Sequence, residues 1–269
     1  MSCLQFTLKQ APQQRLDLSP LVCQHLINLS LDEINALKLY CGKQQLSVAE
    51  LFNIEGDDAT NIVFINTTDK CDFIGKELNG GSITIEGDAG AYLGLGLLNG
   101  AITVKGNTGI YAGGEMRKGL ITIEGNAGDF LGSALPGNKM GMKGGLILVK
   151  GNAGERVGDH LRRGTILIEG NAGDYCGSRM TAGTIAVMGS TGRFVGYAMR
   201  RGTLLLWQTP QLTASFNDCG SHTLGFLPLL FNSFKSLDSK FASVCFNRIQ
   251  RYGGDMAEMG RGEILVKLI

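Results

Sequence analysis

Gly81-Ser82-Ile83-Thr84-Ile85-Glu86-Gly87-Asp88-Ala89-Gly90-Ala91-Tyr92-Leu93-Gly94 is the first full copy of a unit, G-x-I-x-V-x-G-[ND]-x-G-x-x-x-G, that recurs through the middle of the chain. Its second glycine falls at Gly87, Gly106, Gly125, Gly151, Gly170 and Gly189, in steps of 19, 19, 26, 19 and 19 residues. A period near 19 that brings one strand-like run each time is the mark of a β-solenoid, in which neighbouring rungs bury one another. The expected fold is mainly β: a single-stranded, right-handed parallel β-helix with small helical additions at both ends. Residues 61–208 would form about eight GxxGxxxG rungs. Residues 1–60 are expected as an N-terminal arm, and residues 209–269 as a loop, a helix and a final strand packed on the β-helix.

Within each rung the strand alternates, so Ile83/Ile85, Ile102/Val104, Ile121/Ile123, Ile147/Val149, Ile166/Ile168 and Ile185/Val187 point into the tube. Asn107, Asn126, Asn152 and Asn171 follow the corner glycine, where a side-chain ladder can form. Just before that glycine, Glu86, Lys105, Glu124, Lys150 and Glu169 alternate in sign, which predicts a register-setting charge ladder. A neighbouring outward column begins as Thr84, Thr103 and Thr122, then turns apolar at Leu148, Leu167, Ala186 and Leu205, beside Met188 and Trp207. A strand face that turns apolar is covered by something. Leu148, Leu167, Leu205 and Trp207 are therefore candidates for a partner interface, the chain's own C-terminal helix being the other cover.

The turn that opens each rung carries a third column, Arg117-Lys118, Lys143, Arg162-Arg163, Arg179 and Arg200-Arg201. In water such neighbours repel by only about 1 kcal/mol each, so a solvated edge is one reading. The other is a strip that binds carboxylates or an acidic partner, because guanidinium groups suit bidentate carboxylate contacts. Leu97, Met116, Met142, Leu161, Met180 and Met199 lie beside it at the same period and read as core filler.

The repeats fray at both ends, over Thr68–Gly75 and Gln208–Ser215, as capping rungs do. Upstream, Ser30-Leu31-Asp32-Glu33 forms a capping-box pattern for a short helix. Downstream, Phe234, Leu237, Phe241, Val244 and Cys245 recur at helical spacing, and Arg261-Gly262-Glu263-Ile264-Leu265-Val266-Lys267 repeats a rung's strand.

Composition bounds the function classes. A net charge of +1 gives no global field toward nucleic acid or a membrane. No apolar run of spanning length and no secretory leader pattern is visible. Seven cysteines without a C-x-x-C pair suit scattered core thiols in the cytoplasm. Catalytic motifs are missing too. His25, His160 and His222 lack metal-ligand spacing, and His160, in Asp159-His160-Leu161, reads as a turn residue. Gly94 to Gly100 has the wrong spacing for a dinucleotide fingerprint. Neither G-x-S-x-G nor a Walker A sequence occurs. No residue is assigned to catalysis or to a metal, and the chain alone is not expected to be an enzyme.

The glycine rungs resemble the C-terminal β-helix of the glutamate synthase large subunit. They are more similar to the C subunit of formylmethanofuran dehydrogenases and of the related bacterial formyltransferase/hydrolase complex. Three features carry the second likeness: the long rung Gly132–Gly145, with Gly141-Met142-Lys143-Gly144-Gly145 at its end; Val48-Ala49-Glu50-Leu51-Phe52; and Tyr252-Gly253-Gly254-Asp255-Met256-Ala257 leading to Gly260-Arg261-Gly262-Glu263-Ile264. Val157-Gly158-Asp159-His160-Leu161-Arg162-Arg163-Gly164 is more like the bacterial version.

That resemblance implies a scaffold subunit in one-carbon oxidation. The complex would move a formyl group from tetrahydromethanopterin to a methanofuran-type carrier and hydrolyse it to formate. Chemistry would lie on an amidohydrolase-like A subunit with metal ions and a formyltransferase D subunit, with a B subunit beside them. This chain would hold no cofactor of its own. Since such carriers bear glutamate chains, the Arg/Lys column is expected to meet that polyanion. Alternative readings are the C subunit of a tungsten- or molybdenum-dependent formylmethanofuran dehydrogenase and a glutamate-synthase-like β-helix in an amidotransferase system.

Overall fold

The computed structural model describes residues 2–268. Seven strands carry the repeat: Asn79–Gly87, Asn99–Val104, Leu120–Ile123, Lys143–Val149, Arg163–Ile168, Thr184–Val187 and Arg201–Leu206. Each pairs in parallel with the next, and the register advances by one repeat. Ile83 lies beside Ile102, Ile102 beside Ile121, Ile121 beside Ile147, and the row continues through Ile166, Ile185 and Leu204. A second parallel ladder links Ala89, Thr108, Ala127, Ala153, Ala172 and Thr191 around the corner. The architecture is β-helix-like, with the alternating isoleucines and valines buried between the two ladders. Because Ile121 still meets Ile147, the longer step does not disturb the stack. Its extra residues are expelled as a loop in which Pro136–Met140 are exposed.

Close approach explains the corner glycines. A Cβ on Gly125 would stand 2.6 Å from the Gly106 carbonyl oxygen and 2.7 Å from Asn107 Oδ1. The asparagines beside them form the expected ladder: the backbone N–H and side-chain amide of Asn126 donate to Asn107 Oδ1 at 2.9 and 3.1 Å, and Asn152 repeats this on Asn126. The charge ladder also forms in part, with Lys105 at 2.9 Å from Glu124 and Lys150 at 3.8 Å from the same carboxylate.

Both ends of the stack are closed by non-repeating chain. At the N-terminal end, strand Cys3–Leu8 pairs in parallel with Asp58–Thr67 and antiparallel with Phe52–Glu55, so the first residues extend the main sheet. Phe6 stacks on Phe64 at 5.3 Å and meets Phe52 edge-on at 5.9 Å, filling the open end of the tube. Ser30 caps helix Leu31–Ala36 through the box with Glu33. At the other end Arg261–Lys267 adds a parallel strand beside Arg201–Leu206, with Ile264 opposite Leu204. Arg248–Gly254 and Asn217–Thr223 then continue the sheet antiparallel.

The apolar outward column is covered by the chain itself. Leu148 is 2% exposed, while Leu167, Ala186 and Leu205 are fully buried beneath Leu227, Phe231, Phe234 and Phe241. Trp207 sits half-buried, edge-on to Phe241 and Phe246 at 5.7 and 5.3 Å. The C-terminal segment is thus one cover of Leu148, Leu167 and Leu205, and one of the two the sequence allowed. The cover stops where the column changes to Thr122, Thr103 and Thr84, which stay partly exposed. Lys150 fastens its edge to Asp238 at 2.6 Å, and the Lys240 N–H donates to Glu169 at 2.7 Å. Nor is the cover one helix over the expected spacing. Phe226–Asn232 is helical, Lys240–Ser243 is a single 3₁₀ turn, and Cys245 is exposed. Docking on a flat sheet, rather than helical periodicity, decides where those phenylalanines land.

Candidate functional site: a cationic edge

The turn opening each rung is built on the Leu/Met column. Leu97, Met116, Met142, Leu161, Met180 and Met199 are fully buried, and their carbonyls accept N–H groups from the turn one rung on. Arg117 N–H donates to Leu97 at 2.8 Å, Lys143 to Met116 at 2.7 Å, Arg162 to Met142 at 3.0 Å and Arg200 to Met180 at 2.8 Å. The residue after each buried anchor is therefore repeated at one place on the edge; it is basic at Arg117, Lys143, Arg162 and Arg200, while Leu98 and Thr181 hold the same place in their rungs.

The column is not uniform. Arg179 is engaged by Asp159, a carboxylate only 4% exposed, through Nη2–Oδ2 at 2.5 Å and Nε–Oδ1 at 2.9 Å; the Ser178 hydroxyl donates to the same carboxylate at 2.7 Å. Such a pair neutralises a buried charge, so Arg179 serves the fold. Arg200 makes a looser surface pair with Glu258 at 3.3 Å. Arg117, Lys118, Lys143, Arg162, Arg163 and Arg201 have no carboxylate within 4 Å among the described residues. Four of them converge. Arg117, Lys143, Arg162 and Arg163 line a cleft of about 440 Å³ with Met140, and Arg162 and Arg163 also face a neighbouring cleft of about 370 Å³ with Lys139, Met140 and Thr181. Neither cleft has an acidic wall, so together they offer a groove that suits an anionic group.

His160 stands in a left-handed turn, φ 57°, and its carbonyl accepts the Gly141 N–H at 2.9 Å. Burial pushes its imidazole toward the neutral form; Asp159 opposes that shift, while Arg179, Arg200 and Lys139 add to it. Among the described residues no three His, Cys, Asp or Glu side chains converge to hold a metal.

Sequence reasoning missed two parts of this surface. Lys139 and Met140 stand in the expelled loop, whose extra length was the available signal, and Arg261 lies in register with Arg201. It also missed an aromatic ladder on another corner. Phe73, Tyr92, Tyr111 and Phe130 stack at 4.8, 5.4 and 4.7 Å. Arg156 interrupts the row, its guanidinium 4.5 Å over Tyr175, which stacks on Phe194 at 4.9 Å. All seven have φ near 60°, a conformation costing roughly 1–2 kcal/mol per residue that stacking of roughly 0.5–1.5 kcal/mol per pair offsets. Their repeat at the rung period was visible in the sequence.

The GXGXG motif family matches residues 65–220, more than half of the chain. A chain of the formyltransferase/hydrolase complex (FhcABCD) from Methylorubrum extorquens, solved by X-ray crystallography with methylofuran bound to the complex, superposes with a TM-score of 0.94. It is 38% identical, over 98% of this chain and 100% of that one. The chain belongs to the formylmethanofuran dehydrogenase C-subunit family. Two curated proteins from Methanococcus maripaludis, each the C subunit of a tungsten-containing formylmethanofuran dehydrogenase 2, are 32% identical over 95 residues and 31% over 96. Those alignments span 35% of this chain and 35% of either relative. In this C-subunit family member the glycine rungs carry the family likeness, and the cationic edge is laid out by the same rungs.

Proposed function

We propose that this chain is a noncatalytic scaffold subunit of a complex that transfers a formyl group from tetrahydromethanopterin to a methanofuran-type carrier and hydrolyses it to formate. The full-length match at 38% identity to a chain of the formyltransferase/hydrolase complex carries this reading. The matches to the tungsten-containing enzymes favour the dehydrogenase alternative less, because they span only about a third of either chain. In this reading the fold is a right-handed parallel β-helix over 61–208, flanked by the N-terminal segment 1–60 and the covering segment 209–269. The 19-residue parallel register supports it.

The A, B and D subunits supply the chemistry, and the carrier, tetrahydromethanopterin and metal ions belong with them. The edge formed by Arg117, Lys118, Lys143, Arg162, Arg163, Arg200 and Arg201 is this chain's anion-facing surface. Arg179 contributes to the edge only through the free side of a guanidinium already bound to Asp159. A cytoplasmic setting agrees with cysteines that are all unpaired among the described residues; no helix among those residues is long and apolar enough to cross a membrane. The test is reconstitution. The isolated chain should release no formate from a formylated carrier, whereas the A, B and D subunits should assemble into an active complex only when it is added. Full activity of A, B and D without this chain would refute the scaffold role.

A further inference from the structure

The cationic edge keeps apolar neighbours that a merely solvated edge has no use for. Met140 is 41% exposed, Tyr197 50%, Met256 48% and Met259 49%. Each is tied to the arginines by position. Met140 touches Arg162, and Met256 and Met259 flank Glu258, the partner of Arg200; Tyr197 accepts the Arg179 N–H on its backbone carbonyl at 2.7 Å, with its ring edge-on to Tyr175 at 5.9 Å. From the rung of Arg117 to that of Arg261 the edge crosses six paired strands. Five steps between strands make about 24 Å. That is the breadth of one side of an ordinary interface of roughly 800 Å² per partner. Arginine, methionine and tyrosine are the residue types enriched at the centres of such interfaces.

We infer that this edge is the docking surface for a partner subunit that presents an acidic face around apolar contacts. This rests on the reading of the chain as one member of a larger complex. Arg162, Arg163, Arg201 and Arg261 lack acidic partners among the described residues, so the carboxylates must come from outside. A second copy of this chain would bring the same positive edge and be repelled. Met140, Tyr197 and Met256 seat the partner's apolar groups, while the guanidinium groups fix its register. An anionic carrier tail laid along the same groove would engage the guanidinium groups and leave Tyr197 and Met256 idle.

Two double variants separate these occupants in the complex isolated from producing cells, with circular dichroism confirming that each chain is folded. Arg162→Glu with Arg163→Glu removes the charge match; Tyr197→Ser with Met256→Ser removes the apolar contacts; Lys43→Glu, in the turn between the antiparallel strands Lys38–Cys41 and Gln44–Ser47 of the N-terminal segment, is the control. Both pairs should weaken retention of this chain by its partner subunits about tenfold or more, and the control should not. Zero-length carbodiimide coupling should join Lys139 or Lys143 to an acidic residue of another subunit. Unchanged retention in the Tyr197/Met256 pair, with only carrier retention lost in the arginine pair, would replace the protein partner by the carrier. An intact complex indifferent to both pairs, without such coupling, overturns the docking surface and leaves the scaffold reading standing. Purification without any partner subunit would instead overturn the scaffold reading, and the docking surface with it.

Discussion

Gly125→Ala places the first side-chain atom of the new residue between two rungs. The added Cβ would sit 2.6 Å from the Gly106 carbonyl oxygen, 2.7 Å from Asn107 Oδ1 and 2.8 Å from the Gly106 carbonyl carbon. Ordinary contact begins near 3.4 Å, so about 0.8 Å must be opened against backbone, which has no rotamer to yield. The same rungs are clamped there by the Gly125 N–H donating to Gly106 at 3.0 Å and the Asn126 N–H donating to Asn107 Oδ1 at 2.9 Å. Overpacking of this kind costs about 1–3 kcal/mol, and stretching one backbone hydrogen bond about 1 kcal/mol more. The expected loss is therefore about 2–4 kcal/mol. Gly225→Ala is the matched control: φ is −68° and nothing lies within 4 Å of the added Cβ, so stability should change by less than about 1 kcal/mol. Urea unfolding followed by far-ultraviolet circular dichroism reads both midpoints. If Gly125→Ala unfolds within about 0.5 kcal/mol of the parent, backbone approach is not why this corner is glycine.

Leu205→Ala empties a fully buried site beneath the C-terminal cover and should cost about 2–5 kcal/mol, while the fluorescence of Trp207, packed against Phe241 and Phe246, shifts as the cover loosens. Asp159→Ala leaves Ser178 and Arg179 without their shared acceptor and should destabilise by about 1–3 kcal/mol, measured by thermal unfolding. Burial pushes the Cys176 thiol up to about 12. A raised folded value means the protonated thiol is favoured by folding, so its contribution is complete below the unfolded value near 9 and is lost as pH rises from there toward 12. At pH 8, alkylation of the native protein should therefore mark the exposed Cys219 and Cys245 and reach Cys176 only after unfolding.

Much of this architecture could be read from the repeat because the rung is a local rule applied many times. Ile83, Ile102 and Ile121 share one period, and that period alone sets them side by side. The charge ladder at Lys105 and Glu124 was legible for the same reason. What escaped was set by contacts between distant segments. Helical spacing from Phe234 to Cys245 suggested one helix, but those side chains answer to the sheet face at Leu167 and Leu205, which the local pattern does not contain. The cationic column was visible as a row, yet its division was not. Arg179 is not in register with Arg162, whose place one rung on is taken by Thr181; it follows His160 in the repeat and is held by buried Asp159. Lys139 was hidden because the loop that carries it breaks the period.

The most direct test of the scaffold assignment is the composition of the native complex. The chain, carrying an affinity tag at its natural gene, should be isolated at low salt and weighed intact by mass spectrometry. The account predicts co-isolation, in fixed ratio, with an amidohydrolase-like subunit, a B subunit and a formyltransferase subunit. Recovery with a molybdopterin- and iron–sulfur-containing subunit, or of the chain alone, would contradict it.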